Sequence, residues 1–165
     1  MTMQRFEPGW ATTAGHMRVK PLEGDGDPQR AADRVMIAET IHRYGWAYDE
    51  RDHELIGDTF TEDAVWEGNV MGAEPVGPFE GREAIVAFLA EFWAVQKDQR
   101  RHIFTNVIVD DLTGTSAVAH AYLLLTSASD GAMAPVTNGP YRLVMRKEGA
   151  IWRMAHLIGA FDAPW

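Results

Sequence analysis

Past residue 99 the apolar residues of this chain change their period, and that switch restricts the fold more than any other feature. Before it lies "REAIVAFLAEFWAVQ" (82–96), in which Ile85, Phe88, Leu89 and Phe92 recur at helical spacing. After it come "RHIFTNVIVDD", "SAVAHAYLLLTSAS", "YRLVMRKEG" and "AIWRMAHLIGAF". These are strand-like runs with turn signals at "DLTGT", "SDGA" and "EGA". Helices first and an antiparallel meander second is the α+β arrangement, with helices packed on one face of a sheet. Helices on one face of a strongly curved sheet can enclose a pocket. The expected fold class is therefore α+β.

The earlier part of the chain fits this plan. Residues 1–27 lack periodicity and read as an extension draped on the domain through Trp10, Met17 and Val19; the domain itself is expected over 28–165. Asp27 and Pro28 form a helix start, cap followed by first helical residue, and the helix runs to about Asp49. "DHELIGDTF" predicts a short second helix capped by Asp52, "AVWEGN" a short strand, and 70–81 a Gly/Pro loop.

Composition removes several classes of function. The chain has 165 residues, 46% of them hydrophobic, enough for one domain with a true core. The net charge of −9 argues against nucleic acid, and "KDQRRH" is a short cation cluster at a helix end. Cysteine is absent, so no thiolate nucleophile or cysteine metal site is available. No GxGxxG, P-loop, GxSxG or HExxH pattern is present, and no cofactor or metal is expected. No apolar run approaches the ~20 residues of a membrane span, and the first residues carry no apolar signal core. The expectation is a cytoplasmic protein with no membrane partner.

One carboxylate stands out. On a helical wheel Ile37, Ile41, Tyr44 and Tyr48 form one side, and Val35, His42 and Trp46 form another. Ala38, Gly45 and Asp49 fall between them, so Asp49 is flanked by apolar groups beside two small residues. Such a carboxylate needs a partner. Of six histidines, His16 lies in the extension, and His42 and His53 read as solvated. His120 and His156 read as interface or satisfied core groups. His102 begins a strand that places His102, Phe104 and Asn106 on one face, unless a bulge shifts the parity.

With "YGWAYDERD", "FTEDAVWEGN", "GPFEGREAIVAFL", "RRHIFTNVIV" and "AIWRMAHLIG" in this order, the sequence resembles SnoaL-like members of the nuclear transport factor 2-like superfamily over about residues 30–160. The resemblance implies a cone with a deep apolar cavity, usually in an oligomer. Its nearest catalytic pattern is that of scytalone dehydratase, hexachlorocyclohexane dehydrochlorinase and the bile-acid dehydratases, lyases that use an Asp–His dyad without a cofactor. Asp49, His102 and Tyr48 match the dyad and its adjoining tyrosine. Trp66 stands near a second tyrosine of scytalone dehydratase, and Ser127 near a second histidine; these departures argue against the scytalone substrate.

The implied chemistry is proton abstraction from carbon by His102, oriented by Asp49, with Tyr48 as hydrogen-bond donor. Tyr44, Trp66, Phe88, Phe92, Phe104, Asn106 and Tyr122 are the expected substrate contacts, Asn106 having a structural alternative. The expected partner is a hydrophobic cyclic small molecule. A homo-oligomer, dimer or trimer, is expected through a sheet face carrying Leu123, Leu125 and Val144, with Trp93 and Trp152 as further interface candidates. The alternatives are an isomerase or polyketide cyclase of the same fold, a non-catalytic binding protein, and a scaffold like the small subunit of ring-hydroxylating dioxygenases. A short Asp49–His102 distance in a closed apolar pocket favours catalysis; a pocket filled by side chains favours the scaffold.

Overall fold

The computed structural model describes residues 7–15, 17–24, 26–72 and 74–165. The elements run α1 (Trp10–Thr13), α2 (Pro28–Asp49), α3 (His53–Asp58), β1 (Phe60–Val70), β2 (Glu74–Glu80), α4 (Arg82–Val95), β3 (Gln99–Asp110), β4 (Ser116–Ser129), β5 (Ala132–Glu148) and β6 (Ile151–Phe161). Six strands form one open sheet in the order β2-β1-β6-β5-β4-β3. The α+β plan is as expected, with α2 and α4 packed on the inner face of the sheet.

The helix caps follow the sequence. The Asp27 side chain accepts from the Gln29 N–H at 2.9 Å, with Pro28 in the first turn, and Asp52 accepts from the Leu55 N–H at 2.9 Å. In α4, Ile85, Phe88, Leu89 and Trp93 are buried. The Arg82 guanidinium ties the start of α4 to the Phe60 carbonyl at 2.7 Å.

Four expectations need correction. The 70–81 stretch contains a strand, β2, at the sheet edge, where Pro75 and Pro78 break no ladder on the open side. The sheet is mixed: β1 runs parallel to β6, and the remaining pairs are antiparallel. Leu123 and Leu125 are buried on the inner face; the exposed apolar row on the outer face is Ile103, Ile108, Tyr122 and Leu124. Trp93 and Trp152 are core residues. The parity of β4 decides which way Tyr122, Leu123, Leu124 and Leu125 face, and an all-apolar "YLLL" run hides it.

Before α2, residues 7–15 and 17–24 run over the outer side of the sheet. Trp10, Ala11 and Met17 form a small buried cluster with Ala160, while Val19 stays exposed. His120 is buried on the outer face, and among the described residues neither ring nitrogen has a hydrogen-bond partner. His16 lies outside the described residues.

One buried charge fixes α2 to the sheet. The Asp33 carboxylate accepts from Lys147 Nζ at 2.8 Å and Trp152 Nε1 at 3.0 Å. These bonds hold its carboxyl below the usual carboxylate range. Asp33→Ala leaves a cation and an indole N–H facing an apolar wall. The expected loss is about 3 kcal/mol, the lower end for breaking a buried pair, because Lys147 keeps some access to water. A depressed carboxyl stabilises the fold above its unfolded pKa of about 3.9, and the contribution fades as pH falls further. In urea titrations the gap between wild type and variant should hold at neutral pH and shrink below about pH 4.

Candidate active site

Asp49 ends α2, and its side chain faces the first residues of β3. Its Oδ2 accepts from the His102 backbone N–H at 2.8 Å, and its Oδ1 meets the His102 ring Nδ1 at 2.7 Å. Both side chains are more than nine-tenths buried. A carboxylate accepting from Nδ1 places the proton on that nitrogen and leaves Nε2 as the acceptor of the ring. The second bond, to the backbone of the same residue, fixes the strand against the helix end.

The wheel put apolar groups on both sides of Asp49, which needs correcting. Val35, His42 and Trp46 are exposed, Trp46 by 70%. The burial comes from β3, which crosses α2 at Gly45. A Cβ on Gly45 would lie 3.1 Å from the His102 carbonyl oxygen, 3.1 Å from the Phe104 ring and 3.2 Å from His102 Cβ. The small residue noted in the sequence is therefore what lets the strand approach.

Tyr48 lies beside the dyad, its ring centroid 4.4 Å from that of His102. Gln96, just past α4, donates Nε2–H to the Tyr48 hydroxyl oxygen at 3.1 Å, and the phenolic O–H makes only a long contact of 3.5 Å to Gln96 Oε1, which a better acceptor can replace. Burial pushes the Tyr48 hydroxyl above its ordinary pKa, so it stays a donor through neutral pH. Tyr44 is shifted the same way by burial, and its oxygen accepts from Trp66 Nε1 at 3.2 Å.

Tyr44, Tyr48, Trp66, Phe88, Phe92 and His102 line one cavity, as the sequence suggested. Phe104 does not reach it; it sits behind the dyad against Tyr44 and Tyr141. Asn106 and Tyr122 lie elsewhere. Asn106 has φ 53° at a register shift in β3, the bulge that ends the simple alternation. Tyr122 is 54% exposed on the outer face, and both residues border a cleft under the 7–24 segment.

Sequence reasoning missed Leu89, Gln96, Leu123, Leu125, Tyr141, Phe161 and Trp165 in the lining. The strand pairing shows why two of them belong: His102 opposes Leu125 and Phe104 opposes Leu123, so each pair shares a face. Ser127 is engaged with Asp98, whose carboxyl it helps to hold below the usual range. His156 bonds Glu67 at 2.8 Å, away from this cavity, and His53 packs edge-on against Trp93. The cavity itself measures about 30 Å³, room for one or two waters.

Helices laid over one face of a curved, open sheet, with an aromatic cavity between, define a class built for small-molecule pockets or for isomerase- and lyase-type chemistry. The chain belongs to the SnoaL-like domain family, which matches residues 29–158. Among solved structures, one from Catenulispora acidiphila in complex with S-DNPA is 30% identical, with TM-score 0.65 over 77% of this chain and 91% of that one. A putative aromatic ring hydroxylase from Novosphingobium aromaticivorans is 27% identical, with TM-score 0.65 over 80% and 89% of the two chains. The beta subunit of a putative aromatic-ring-hydroxylating dioxygenase from the same organism shares the fold alone, at 14% identity and TM-score 0.69 over 80% and 90%. Comparison with curated proteins gives no match. Among the described residues, no helix is long and apolar enough to cross a membrane.

Gly45→Ala tests the close approach. The helix gains about 1 kcal/mol of propensity, but the added methyl overpacks the crossing at a cost of about 1–3 kcal/mol. We expect unchanged or slightly lower stability in urea titration. The hydrogen-bonded His102 Nδ1 proton, a downfield line in proton NMR, should move or broaden as the strand is displaced.

Proposed function

We propose that the chain is a cofactor-free lyase that eliminates a leaving group from a hydrophobic cyclic small molecule. The observation that carries this reading is the Asp49–His102 contact at 2.7 Å, on the wall of an aromatic cavity. His102 Nε2 takes a proton from a carbon of the substrate. The C–H electron pair becomes a carbon–carbon double bond, and the β substituent departs with the electrons of its own bond, a halogen as halide or a hydroxyl as water once it has taken the proton from the His102 imidazolium. Asp49 holds the ring in the Nδ1–H tautomer and stabilises the imidazolium that forms. Tyr48, kept protonated by burial, donates to a carbonyl or to the departing oxygen. The buried apolar surroundings strengthen each of these interactions by excluding water.

The likeness to a structure solved in complex with S-DNPA supports a ligand pocket in this fold. A second reading, a scaffold like the dioxygenase small subunit, draws on the small cavity, since a filled pocket has no substrate in it. The buried dyad weighs the other way, because the bond from the backbone N–H of residue 102 to Asp49 is enough to fasten the strand, and a scaffold has no need to desolvate an imidazole beside it as well.

The test uses wild type, His102→Ala, Asp49→Asn and Tyr48→Phe on β-hydroxy ketones, steroids and halogenated rings, with products read by mass spectrometry. Wild type should release a product lighter by water or hydrogen halide. His102→Ala should lose about 10²–10⁴-fold in kcat/KM, the usual contribution of a general base. Asp49→Asn should follow it, and Tyr48→Phe should fall less, with each variant still folded by circular dichroism. A product of unchanged mass would reassign the chain to the isomerases or cyclases. An undiminished His102→Ala would remove the dyad from the mechanism.

A further inference from the structure

A cavity of about 30 Å³ holds no ring, so a ligand that reaches His102 must displace part of the wall. The wall is held unevenly. Most of it comes from helices and strands that are locked into the core. Trp165 instead belongs to residues 162–165, which follow β6 and form no helix or strand. That segment is fastened upstream of the indole: the Asp162 N–H donates to the Asn138 carbonyl at 2.8 Å, Trp10 Nε1 donates to Asp162 Oδ1 at 2.6 Å, and Thr137 Oγ1 donates to the Ala163 carbonyl at 2.6 Å. Among the described residues nothing hydrogen-bonds Pro164 or Trp165. The indole is kept by ring contact alone, 4.3 Å between centroids from Phe161 and 6.5 Å from Phe92.

Resting on the ligand-pocket reading above, we propose that Trp165 is the specificity-determining residue of this site. Its indole occupies the seat of the substrate ring, and a ligand enters by swinging it out on the hinge at Pro164. The anchors at Asp162 and Ala163 stay in place while the indole moves, so opening leaves the sheet and the dyad undisturbed. The vacated slot is flanked by the Phe161 and Phe92 rings, which meet the indole at tilts of 41° and 54°. It takes a flat aromatic ring system of about the size of indole, which restores these tilted ring contacts, and a puckered saturated ring would lose them.

The test is binding of 2-naphthol, a flat fluorescent bicycle, to wild type, Trp165→Phe and Trp165→Ala, with decalin-2-ol as the saturated counterpart. Imidazole ¹⁵N–¹H spectra report whether the probe sits beside His102, and thermal melts confirm that each variant is folded. Trp165→Ala should bind 2-naphthol at least tenfold more tightly than wild type, with Trp165→Phe between them and decalin-2-ol weaker throughout. A dissociation constant within twofold of wild type would overturn the proposal, as would tighter binding that leaves the His102 signals unmoved. So would weaker binding, the result expected if the indole were only a wall contact. Binding requires no turnover. If the elimination chemistry fails, these constants still decide the role of Trp165; if Trp165→Ala binds like wild type while His102→Ala loses elimination, only the gate is rejected.

Discussion

The site rests on two hydrogen bonds that leave one carboxylate and arrive at one residue. Asp49 takes both the backbone N–H and the ring Nδ1 of His102. A buried carboxylate with one partner is costly, because its remaining lone pairs lose water without replacement. Here the second oxygen is satisfied by the strand itself. The same contact therefore orients the imidazole and sets the distance between α2 and β3. That distance is reachable only because Gly45 stands at the crossing, where any side chain would meet the carbonyl of His102. The geometry of the Asp49–His102 pair and the helix–sheet packing are thus one constraint. A change that loosens the packing by a few tenths of an ångström reaches the dyad directly.

The two faces of the sheet carry different demands. Inside, alternate residues of β4 from Ala117 to Leu125 are buried against the helices, and the far end of this row joins the cavity. Outside, Ile103, Ile108, Tyr122 and Leu124 remain exposed on the neighbouring strands β3 and β4. Residues 7–15 and 17–24 cover part of that outer face through Trp10 and Met17, and Trp10 is bonded to Asp162, the residue that follows β6. The bond also reaches the segment that carries Trp165. Covering of the outer face and closure of the inner cavity meet at one aspartate.

Much of this was legible in the sequence, for reasons that differ by element. The helix starts carried explicit caps, Asp27 with Pro28 and Asp52, so they were read correctly. A partner for Asp49 was expected from its place on a helix end beside small residues, and His102 was chosen for it through the family resemblance; the 2.7 Å contact joins the two, while the burial of Asp49 comes from β3 and not from the helix's own apolar residues. Parity in the sheet was not legible where all residues are apolar: Leu123 and Leu124 differ only in which side they face. Nor was it legible past Asn106, where a single left-handed residue reverses the alternation. The β2 strand was hidden because Gly and Pro signal turns in most settings, and only its edge position excuses them. Gln96 and Trp165 lay beyond periodic reasoning, since both sit just outside regular elements and are placed by tertiary contact alone.

A cavity that is nearly closed when empty has an energetic consequence for any ligand it serves. Aromatic rings packed against each other bury area that an open pocket would leave wetted, so closure stabilises the unliganded fold. The ligand must then offset that stabilisation before it gains its own. If the open form is about one part in a hundred, the apparent affinity falls about a hundredfold, near 2.7 kcal/mol. Such a site favours ligands that restore what the displaced ring provided, an aromatic face of similar area, and disfavours those that only fill volume. It also keeps water from an imidazole whose proton partner is fixed. On the proposed reading, the small volume and the buried dyad are compatible features of one device: a base kept dry until a ring of the right shape takes the place of a side chain.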